Sequence, residues 1–385
     1  MKLIATAAFG LESVVGRELS WLGYDQQQTE NGRVIFEGDL EAICRTNLWL
    51  RCADRILLLI GRFPADSFEA LFQGTKGLPW EHWIPENGAF PVTGKSVKSK
   101  LFSVPDCQAI VKKAIVERLK TIYRRDWFDE TGPVYKVEVS LLNDIACLTI
   151  DTSGAGLHKR GYREEAGPAP LKETLACGLL YISRWKPDRA LLDPFCGSGT
   201  IPIEAAMIGM NLAPGLHRTF LCETWPCMPD ELWQDLRAQA LRKADRSREL
   251  RIYASDRDYF ALSLAKRHAA LAGVENHIHF QKVDYRVTSS RYRYGFIVTN
   301  PPYGQRLADK EETEMLYRGM GSHFQTFDTW SYYILASHPN FETLFGRKAD
   351  KKRKLYNGRI LCQYYQYYGP KPSLPEFSGN IGQPM

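Results

Sequence analysis

The sequence contains no long hydrophobic run and no framework of paired cysteines. No stretch of its 385 residues approaches the roughly 18 apolar residues that a membrane-spanning helix needs. The apolar run after Met1 and Lys2 is too short for a signal peptide. The nine cysteines are scattered and odd in number, which is typical of reduced thiols in a cytosolic protein. We therefore expect a cytoplasmic globular chain rather than a membrane protein or a disulfide-stabilised secreted one.

The sequence also offers little to a metal ion. Cys222 and Cys227 are separated by four residues, and His217 is the one further candidate ligand nearby. A structural zinc site needs four ligands. We therefore predict no metal site.

What the chain does have is length and a small excess of positive charge. A chain of 385 residues, with 44% apolar and 24% charged residues, is expected to fold into two or three globular domains. The net charge of +6 is compatible with a polyanionic partner such as RNA but does not establish one.

Two different patterns of apolar residues follow one another along the chain. Up to residue 150, short apolar strands alternate with amphipathic helices, and Asn143-Asp144 reads as a hairpin turn. The turn-rich run from Asp151 to Gly156 is the best domain boundary. From Leu191 onward, strands are separated by helices of ten or more residues, which predicts a parallel α/β sheet.

A glycine-rich turn follows the first strand of this second half. Leu191-Leu192 leads into Asp193-Pro194-Phe195-Cys196-Gly197-Ser198-Gly199-Thr200, and a helical pattern continues from Ile201. The turn lacks both the three spaced glycines of a dinucleotide site and the Lys-Ser/Thr pair of a phosphate-binding loop. Glycines allow a ligand to approach the backbone, and the helix start offers unpaired N–H groups. We predict a cofactor site that includes Asp193, Phe195, Gly197, Ser198, Gly199 and Thr200.

The next two predicted strands end in carboxylates. Asp256 is best placed to accept both ribose hydroxyls of a bound nucleoside, although it could also cap the helix that begins at Tyr259. Asp284 would accept from an adenine amino group, and the alternative is a solvated turn aspartate.

A rigid polar loop follows the fourth strand, Phe296-Ile297-Val298. In Asn300-Pro301-Pro302-Tyr303 the two prolines fix their own φ angles and lack N–H groups, so the loop holds one shape. The Asn300 side-chain oxygen and the Pro301 carbonyl can accept the two hydrogens of a planar amino group, while Tyr303 stacks on the base. A tyrosine that only fills core is the alternative. These residues predict methylation of a nucleobase amine.

Taken together, the Asp193–Thr200 turn, the Asn300–Tyr303 loop and the segments 158–163, 169–175 and 353–358 resemble the bacterial THUMP-domain 23S rRNA (guanine-N2)-methyltransferases. Such relatives are often labelled adenine-specific DNA methylases because they share the loop. The resemblance implies a Rossmann-like α/β methyltransferase domain that uses S-adenosyl-L-methionine. It also implies an α+β ferredoxin-like part over 1–55, a THUMP RNA-binding domain over 56–155 and the catalytic domain over 156–385. Fused relatives carry a second methyltransferase half, so a single reaction is expected here.

The resemblance also assigns the segment before the first catalytic strand to the methionine end of the cofactor, where Lys172 and Thr174 would lie. Ordinary helix-start residues are the alternative reading of this segment. The basic segments 94–101 and 347–354 are candidate phosphate contacts, or else solvated lysine surfaces. The tyrosine-rich segment 363–368 is a stacking surface or the core of a strand.

The residues leave several functions open. The acceptor pair of the loop suits adenine, cytosine and guanine amines equally, so guanine comes from the resemblance alone. A tRNA guanine-N2 methyltransferase, a DNA adenine-N6 methylase and a non-catalytic RNA-binding assembly factor are the alternatives. The intact loop argues against the last of these, since a pure binder does not need the acceptor pair.

Overall fold

The structure is a computed structural model of the chain, and it describes residues 1–163, 171–304 and 309–372. Part of the segment 169–175, namely Ala169 and Pro170, lies outside the described residues. Within the described ranges, no helix is long and apolar enough to cross a membrane.

The described strands and helices alternate along the chain. The strands are β1 (Lys2–Ala7), β2 (Gln27–Glu30), β3 (Arg33–Glu37), β4 (Ala53–Pro64), β5 (Val92–Val97), β6 (Val137–Leu142), β7 (Ile145–Asp151), β8 (Leu191–Asp193), β9 (Ile252–Asp256), β10 (Ile278–Lys282), β11 (Phe296–Thr299), β12 (Ser331–Ala336), β13 (Lys351–Asn357) and β14 (Ile360–Tyr367). The helices are α1 (Glu12–Trp21), α2 (Leu40–Trp49), α3 (Phe68–Lys76), α4 (Val104–Tyr123), α5 (Glu173–Ser183), α6 (Thr200–Gly209), α7 (Asp230–Lys243), α8 (Tyr259–Leu271), α9 (Asp309–Phe324) and α10 (Phe341–Phe345).

The first compact unit comprises Met1–Arg160 and Ala213–Ala244. Its described strands form one sheet in the order β2-β3-β1-β4-β7-β6-β5, in which only β5 and β6 run parallel. The predicted division between residues 55 and 56 falls inside β4, a 12-residue strand that pairs with β1 on one side and β7 on the other. That division remains a proposal, drawn within a continuous sheet.

The segment Ala213–Ala244 belongs to this first unit although both of its flanks belong to the second. Its helix α7 packs on α2, and Trp233 of α7 stacks on Phe220 with ring centroids 5.3 Å apart. Trp225 stacks on Tyr135 at 4.7 Å, and both are fully buried. The stack of Trp225 on Tyr135 therefore holds the segment to the rest of the first unit.

The second compact unit comprises Gly161–Leu212 and Asp245–Met385. Its described sheet has the order β10-β9-β8-β11-β12-β14-β13, with the first five strands parallel and β14 antiparallel to both neighbours. This arrangement confirms the predicted Rossmann-like α/β class. The loops after β8, β9, β10 and β11 therefore leave the sheet at one edge, where α/β proteins bind their ligands.

The tyrosine-rich strand β14 belongs to the core of this unit. Tyr364 and Tyr367 are fully buried and Tyr365 is 4% exposed, whereas Tyr368 just beyond the strand is 48% exposed. The Tyr364 hydroxyl donates to the Leu179 carbonyl at 3.0 Å. The strand-core interpretation is therefore the correct one, and a stacking surface across this strand is not formed.

Candidate active site

A cavity of about 880 Å³ lies at the carboxyl edge of the second unit's parallel strands. Ligand pockets typically measure about 300–1,000 Å³, so its size is at the upper end of that range. Nine of the predicted site residues line it: Lys172, Phe195, Gly197, Asp256, Asp284, Asn300, Pro301, Pro302 and Tyr303. The structure thus brings five of the ten predicted cofactor residues and all four residues of the predicted transfer loop to one cavity.

Hydrogen bonds from two directions hold the Asn300–Tyr303 loop. The Tyr303 hydroxyl donates to the Asn300 side-chain oxygen and accepts from the Asn357 side-chain nitrogen at 3.3 Å. From the other side, the buried Tyr317 of α9 donates to the Pro302 carbonyl at 2.8 Å. Burial raises the pKa of Tyr303, so its hydroxyl stays protonated and keeps its hydrogen to donate. A stacking role for Tyr303 remains a prediction.

The two glycines of the glycine-rich turn serve different purposes. Gly197 lines the cavity with φ +51, and a Cβ added there would meet no described atom within 4 Å. Backbone is therefore open to a ligand at this position, as the cofactor prediction requires. Gly199 has φ +85, and an added Cβ would lie 2.9 Å from the Ala265 Cβ of α8. Gly199 thus permits close packing of α6 on α8.

Asp193 is buried behind the cavity. Its carboxyl accepts from the Thr299 hydroxyl at 2.6 Å and from the Phe195 N–H at 3.2 Å, so it ties the end of β8 to the end of β11. Burial raises the pKa of this carboxyl to about 7. Asp193 connects the cofactor turn to the strand that carries the transfer loop.

Asp256 and Asp258 have different roles, one at the cavity and one at the start of α8. Asp256 lines the cavity, where its two oxygens accept from Gly197 N–H and from Asp258 N–H, each at 2.9 Å. Asp258 caps α8 by accepting from Phe260 N–H at 2.8 Å. The alternative that made Asp256 the helix cap is therefore wrong, because the cap position directly precedes the first helical residue.

Asp284 lines the cavity and forms a two-point ion pair with Arg286. The two contacts are 2.8 and 3.0 Å long, and hydrogen bonding to Arg286 lowers the pKa of the Asp284 carboxyl. The carboxylate is therefore an anionic acceptor, as the adenine prediction requires. Arg286 itself lines the cavity and was not among the predicted residues.

Arg163 ties the start of α5 to the start of α6. Its guanidinium donates to the Thr200 hydroxyl at 2.6 Å and to the Leu171 carbonyl at 3.3 Å, and it lies 3.3 Å from the buried Glu173 carboxylate. Lys172 lies between these contacts and lines the cavity. Arg163 therefore fixes the position of Lys172 relative to the glycine-rich turn.

Several predicted residues lie outside the described lining of the cavity. Thr174 is buried in α5, and the Ser198 carbonyl contacts His268 Nδ1 at 3.2 Å. For these two, and for Asp193, Gly199 and Thr200, direct cofactor contact remains a prediction. The lining residues that the sequence reasoning missed include Tyr285, Thr313, Leu316, Asn357, Gly358 and Ile360. Of these, Asn357 and Gly358 carry a sequence signal, since they end the segment 353–358 that supports the family resemblance.

The lysines of both basic segments are exposed, and some of them pair with carboxylates. In the first unit, Lys95 pairs with Glu138 at 2.7 Å and Lys100 with Asp66 at 2.9 Å. In the second, Lys351 begins the basic strand β13 and Lys352 pairs with Glu342 at 2.7 Å. Carboxylates thus offset part of the positive charge, and phosphate contact by either segment remains a prediction.

Comparisons with known proteins agree with this architecture. The family described as "RMKL-like, methyltransferase domain" matches residues 160–366. An RlmL ferredoxin-like domain matches residues 2–57 and a THUMP domain matches residues 65–151.

Individual relatives cover almost the whole chain. The "Putative RNA methyltransferase YpsC" of Bacillus subtilis is 53% identical over 368 residues, which are 95% of each chain. The ribosomal RNA large subunit methyltransferase K/L of Psychromonas ingrahamii is 36% identical over 94% of this chain but only 49% of its own length. This chain therefore spans about half the length of that relative. Among solved structures, "SMU.472, a putative methyltransferase complexed with SAH" is 46% identical, covers 97% of this chain and 99% of its own, and superposes with a TM-score of 0.92.

Proposed function

This chain belongs to the family of RMKL-like methyltransferases, and from that premise we propose that it methylates the exocyclic N2 amine of a guanine in 23S rRNA. The observation that carries the proposal is that the Asn300–Tyr303 loop and the acidic strand ends line one cavity. S-adenosyl-L-methionine is the cofactor, and it supplies an electrophilic methyl group when bound. The cytoplasm is the proposed location, because ribosomal RNA is made and modified there in bacteria.

Asp256, Asp284 and the backbone at Gly197 would hold the nucleoside part of the cofactor. The two carboxylates suit the ribose hydroxyls and the adenine amino group respectively, since an ionised carboxylate only accepts hydrogen bonds. Lys172, which lines the same cavity, supplies a cation for the methionine carboxylate. Each of these roles requires the residue to face the cavity, and each of the four does.

The acceptor groups of the loop would activate the target amine. The lone pair of an aryl amine is delocalised into the ring, so its nitrogen is a weak nucleophile. The Asn300 oxygen has two lone pairs, one for the Tyr303 hydroxyl and one for an amine hydrogen. The Pro301 carbonyl would accept the second hydrogen. These acceptors stabilise the positive charge that develops on the nitrogen as the methyl group is transferred, and the alkylated amine then loses a proton to water.

Positioning would supply much of the acceleration. Holding the amine and the methyl group in line converts a bimolecular step into a unimolecular one. Tyr317, through its bond to the Pro302 carbonyl, keeps the loop fixed while the base enters. A guanine in a helix would have to leave its stack to reach the cavity.

The RNA assignment draws on the THUMP match and on the K/L relatives, which are named as ribosomal RNA large subunit methyltransferases. The test is nucleoside mass spectrometry of 23S rRNA, 16S rRNA, tRNA and DNA from cells with and without this protein. We expect one N2-methylguanosine to be missing from 23S rRNA in the deletion strain. Loss of a methylated base from tRNA or DNA instead, with 23S rRNA unchanged, would overturn the proposal.

Complementation with Asn300→Ala separates catalysis from binding. Removing one stabilising partner of the transition state typically costs about 10²–10³-fold in kcat, so this variant should not restore the modification. The binding constant for the cofactor should stay within about twofold of the wild-type value, because the loop contributes no predicted cofactor contact. Asn340→Ala, an exposed asparagine of the same compact unit, is the matched control and should restore the modification fully.

A further inference from the structure

The turn between β13 and β14 forms part of the cavity. Asn357, Gly358 and Ile360 all line the cavity. The two strands pair as far as Asn357 and Ile360, which leaves a two-residue turn of Gly358 and Arg359. Gly358 has φ +61, as expected at the first central position of a type II′ turn. Pairing up to the turn therefore holds the Asn357 backbone in one place.

The Asn357 side chain begins a chain of two hydrogen bonds that ends at the proposed catalytic acceptor. Its amide nitrogen donates to the Tyr303 hydroxyl at 3.3 Å, and that hydroxyl donates to the Asn300 side-chain oxygen. Asn357 is 9% exposed, so water has little access to compete for the first bond. An amide N–H only donates, a hydroxyl both accepts and donates, and an amide oxygen only accepts. Both hydrogen bonds therefore run in one direction, from Asn357 through Tyr303 to Asn300.

That direction bears on which way the Asn300 amide is turned. With a donor already at the hydroxyl oxygen, the hydroxyl hydrogen requires an acceptor, and the Asn300 oxygen provides it. A reversed Asn300 amide would place its NH₂ group against the hydroxyl and leave the hydroxyl hydrogen to the adjacent Cys362 thiol, which is a weaker acceptor than an amide oxygen. The reversed amide would also present a donor, rather than an acceptor, to the target amine.

We propose that Asn357 is a positioning residue for methyl transfer, which acts through Tyr303 to keep the Asn300 oxygen turned as an acceptor. This inference rests on the proposed function, in which that oxygen accepts a hydrogen of the guanine amine. It also gives the Tyr303 hydroxyl a task that a stacking ring alone does not have.

The decisive variant is Asn357→Asp, which keeps the shape of the side chain and replaces the donor with an acceptor. The carboxylate would draw the hydroxyl hydrogen away from the Asn300 oxygen. We expect kcat for transfer to 23S rRNA from the deletion strain to fall about tenfold, the equivalent of one lost hydrogen bond. The dissociation constant for S-adenosylmethionine should match that of the wild-type protein and of the Asn340→Ala control. Wild-type kcat in Asn357→Asp would overturn the proposal.

A double-mutant cycle distinguishes positioning from a structural role of the turn. Tyr303→Phe removes the intermediate hydroxyl, so adding Asn357→Ala to it should change kcat by less than about twofold. A residue that matters only for the hairpin would lower kcat equally in both backgrounds, and that result would also overturn the proposal.

Side-chain amide resonances of the ¹⁵N-asparagine-labelled full chain test the hydrogen-bond chain without any RNA. The Asn357 signals, identified by their absence from Asn357→Asp, should shift in Tyr303→Phe and stay unchanged in Asn340→Ala. Unshifted signals would contradict the first bond. If the wild-type protein methylates no RNA but these signals shift, the proposed function fails and the link between Asn357 and Tyr303 stands.

Discussion

Replacement of Asp256 by alanine tests the cofactor half of the site most directly. Its carboxylate lines the cavity and holds the Gly197 N–H at 2.9 Å, so it shapes the glycine-rich turn as well as facing the ligand. Asp258, two residues later, caps α8 and lies outside the described lining. The two aspartates therefore offer a matched pair within one loop.

The expected loss follows from the number of hydrogen bonds. Two ribose hydroxyls that donate to one carboxylate are bonds to a charged acceptor, each worth about 1.5–3 kcal/mol. Loss of both should cost about 3 kcal/mol or more, which weakens cofactor binding by about 100-fold. Asp256→Asn keeps one acceptor and should lose about tenfold. Asp258→Ala should lower the free energy of unfolding by about 1 kcal/mol through the lost cap, with binding unchanged.

Isothermal titration with S-adenosylhomocysteine measures these constants without turnover. Urea unfolding of the same preparations separates a loss of affinity from a loss of stability. An Asp256→Ala dissociation constant within twofold of wild type would remove Asp256 from the ribose. Equal weakening by Asp256→Ala and Asp258→Ala would show that helix capping, and not direct contact, controls the affinity.

Three further predictions concern packing, pH and RNA. Gly199→Ala should cost roughly 3 kcal/mol in urea unfolding, because it combines positive φ with a 2.9 Å approach to α8, whereas Gly346→Ala, at φ +77 in open space, should cost about 1 kcal/mol. Burial raises the pKa of Asp193 from 3.8 to about 7. The folded state therefore favours the protonated carboxyl, and the stability that this contributes is complete below pH 3.8 and is lost as the pH rises to about 7. Between pH 3.8 and 7 the free energy of unfolding should therefore fall by about 4 kcal/mol less in the Asp193→Asn variant than in the wild type. An equal fall in both proteins would contradict a raised pKa for the buried Asp193 carboxyl. In the triple variant Lys351→Glu, Lys352→Glu and Lys354→Glu, filter binding should show a weaker RNA affinity with a shallower salt dependence. If neither changes, these lysines of β13 form a solvated surface that does not bind RNA.

The sequence predicts those strands and turns whose residues strongly favour one backbone conformation. Asn143 and Asp144 were expected to form a hairpin turn, and they adopt φ +50 and +60 between β6 and β7. The Asn300–Tyr303 loop reaches the cavity because parallel strands end at one edge, which the alternation of strands and helices predicts.

Elements with weak local signals were missed. The strand β2 reads Gln-Gln-Thr-Glu, without apolar alternation, and it forms because β3 offers it an edge. Neighbouring structure, rather than local pattern, decides this strand. Helix α3 was missed although it does have a local signal, since Phe68, Leu71 and Phe72 follow the cap residue Ser67 at helical spacing.

Contacts between residues that lie far apart in the sequence could not be predicted from it. Tyr317 looks like an ordinary apolar position of α9, yet its hydroxyl holds a carbonyl 15 residues earlier. Arg163 reaches Thr200 across 37 positions. Asp256 and Asp258 are both plausible caps on sequence alone, because the start of a helix is uncertain by one or two residues. Such assignments depend on side-chain geometry that a single sequence does not encode.

The segment Ala213–Ala244 makes the two halves of this protein difficult to separate by a single cut. A fragment that ends at Arg160 would lack α7, and a fragment that begins at Gly161 would carry α7 without α2, its packing partner. Trp233, Leu236 and Ala240, all buried in the intact chain, would then face water and promote aggregation. Exchange of catalytic halves between relatives therefore requires three junctions, so that the recipient keeps its own copy of this segment.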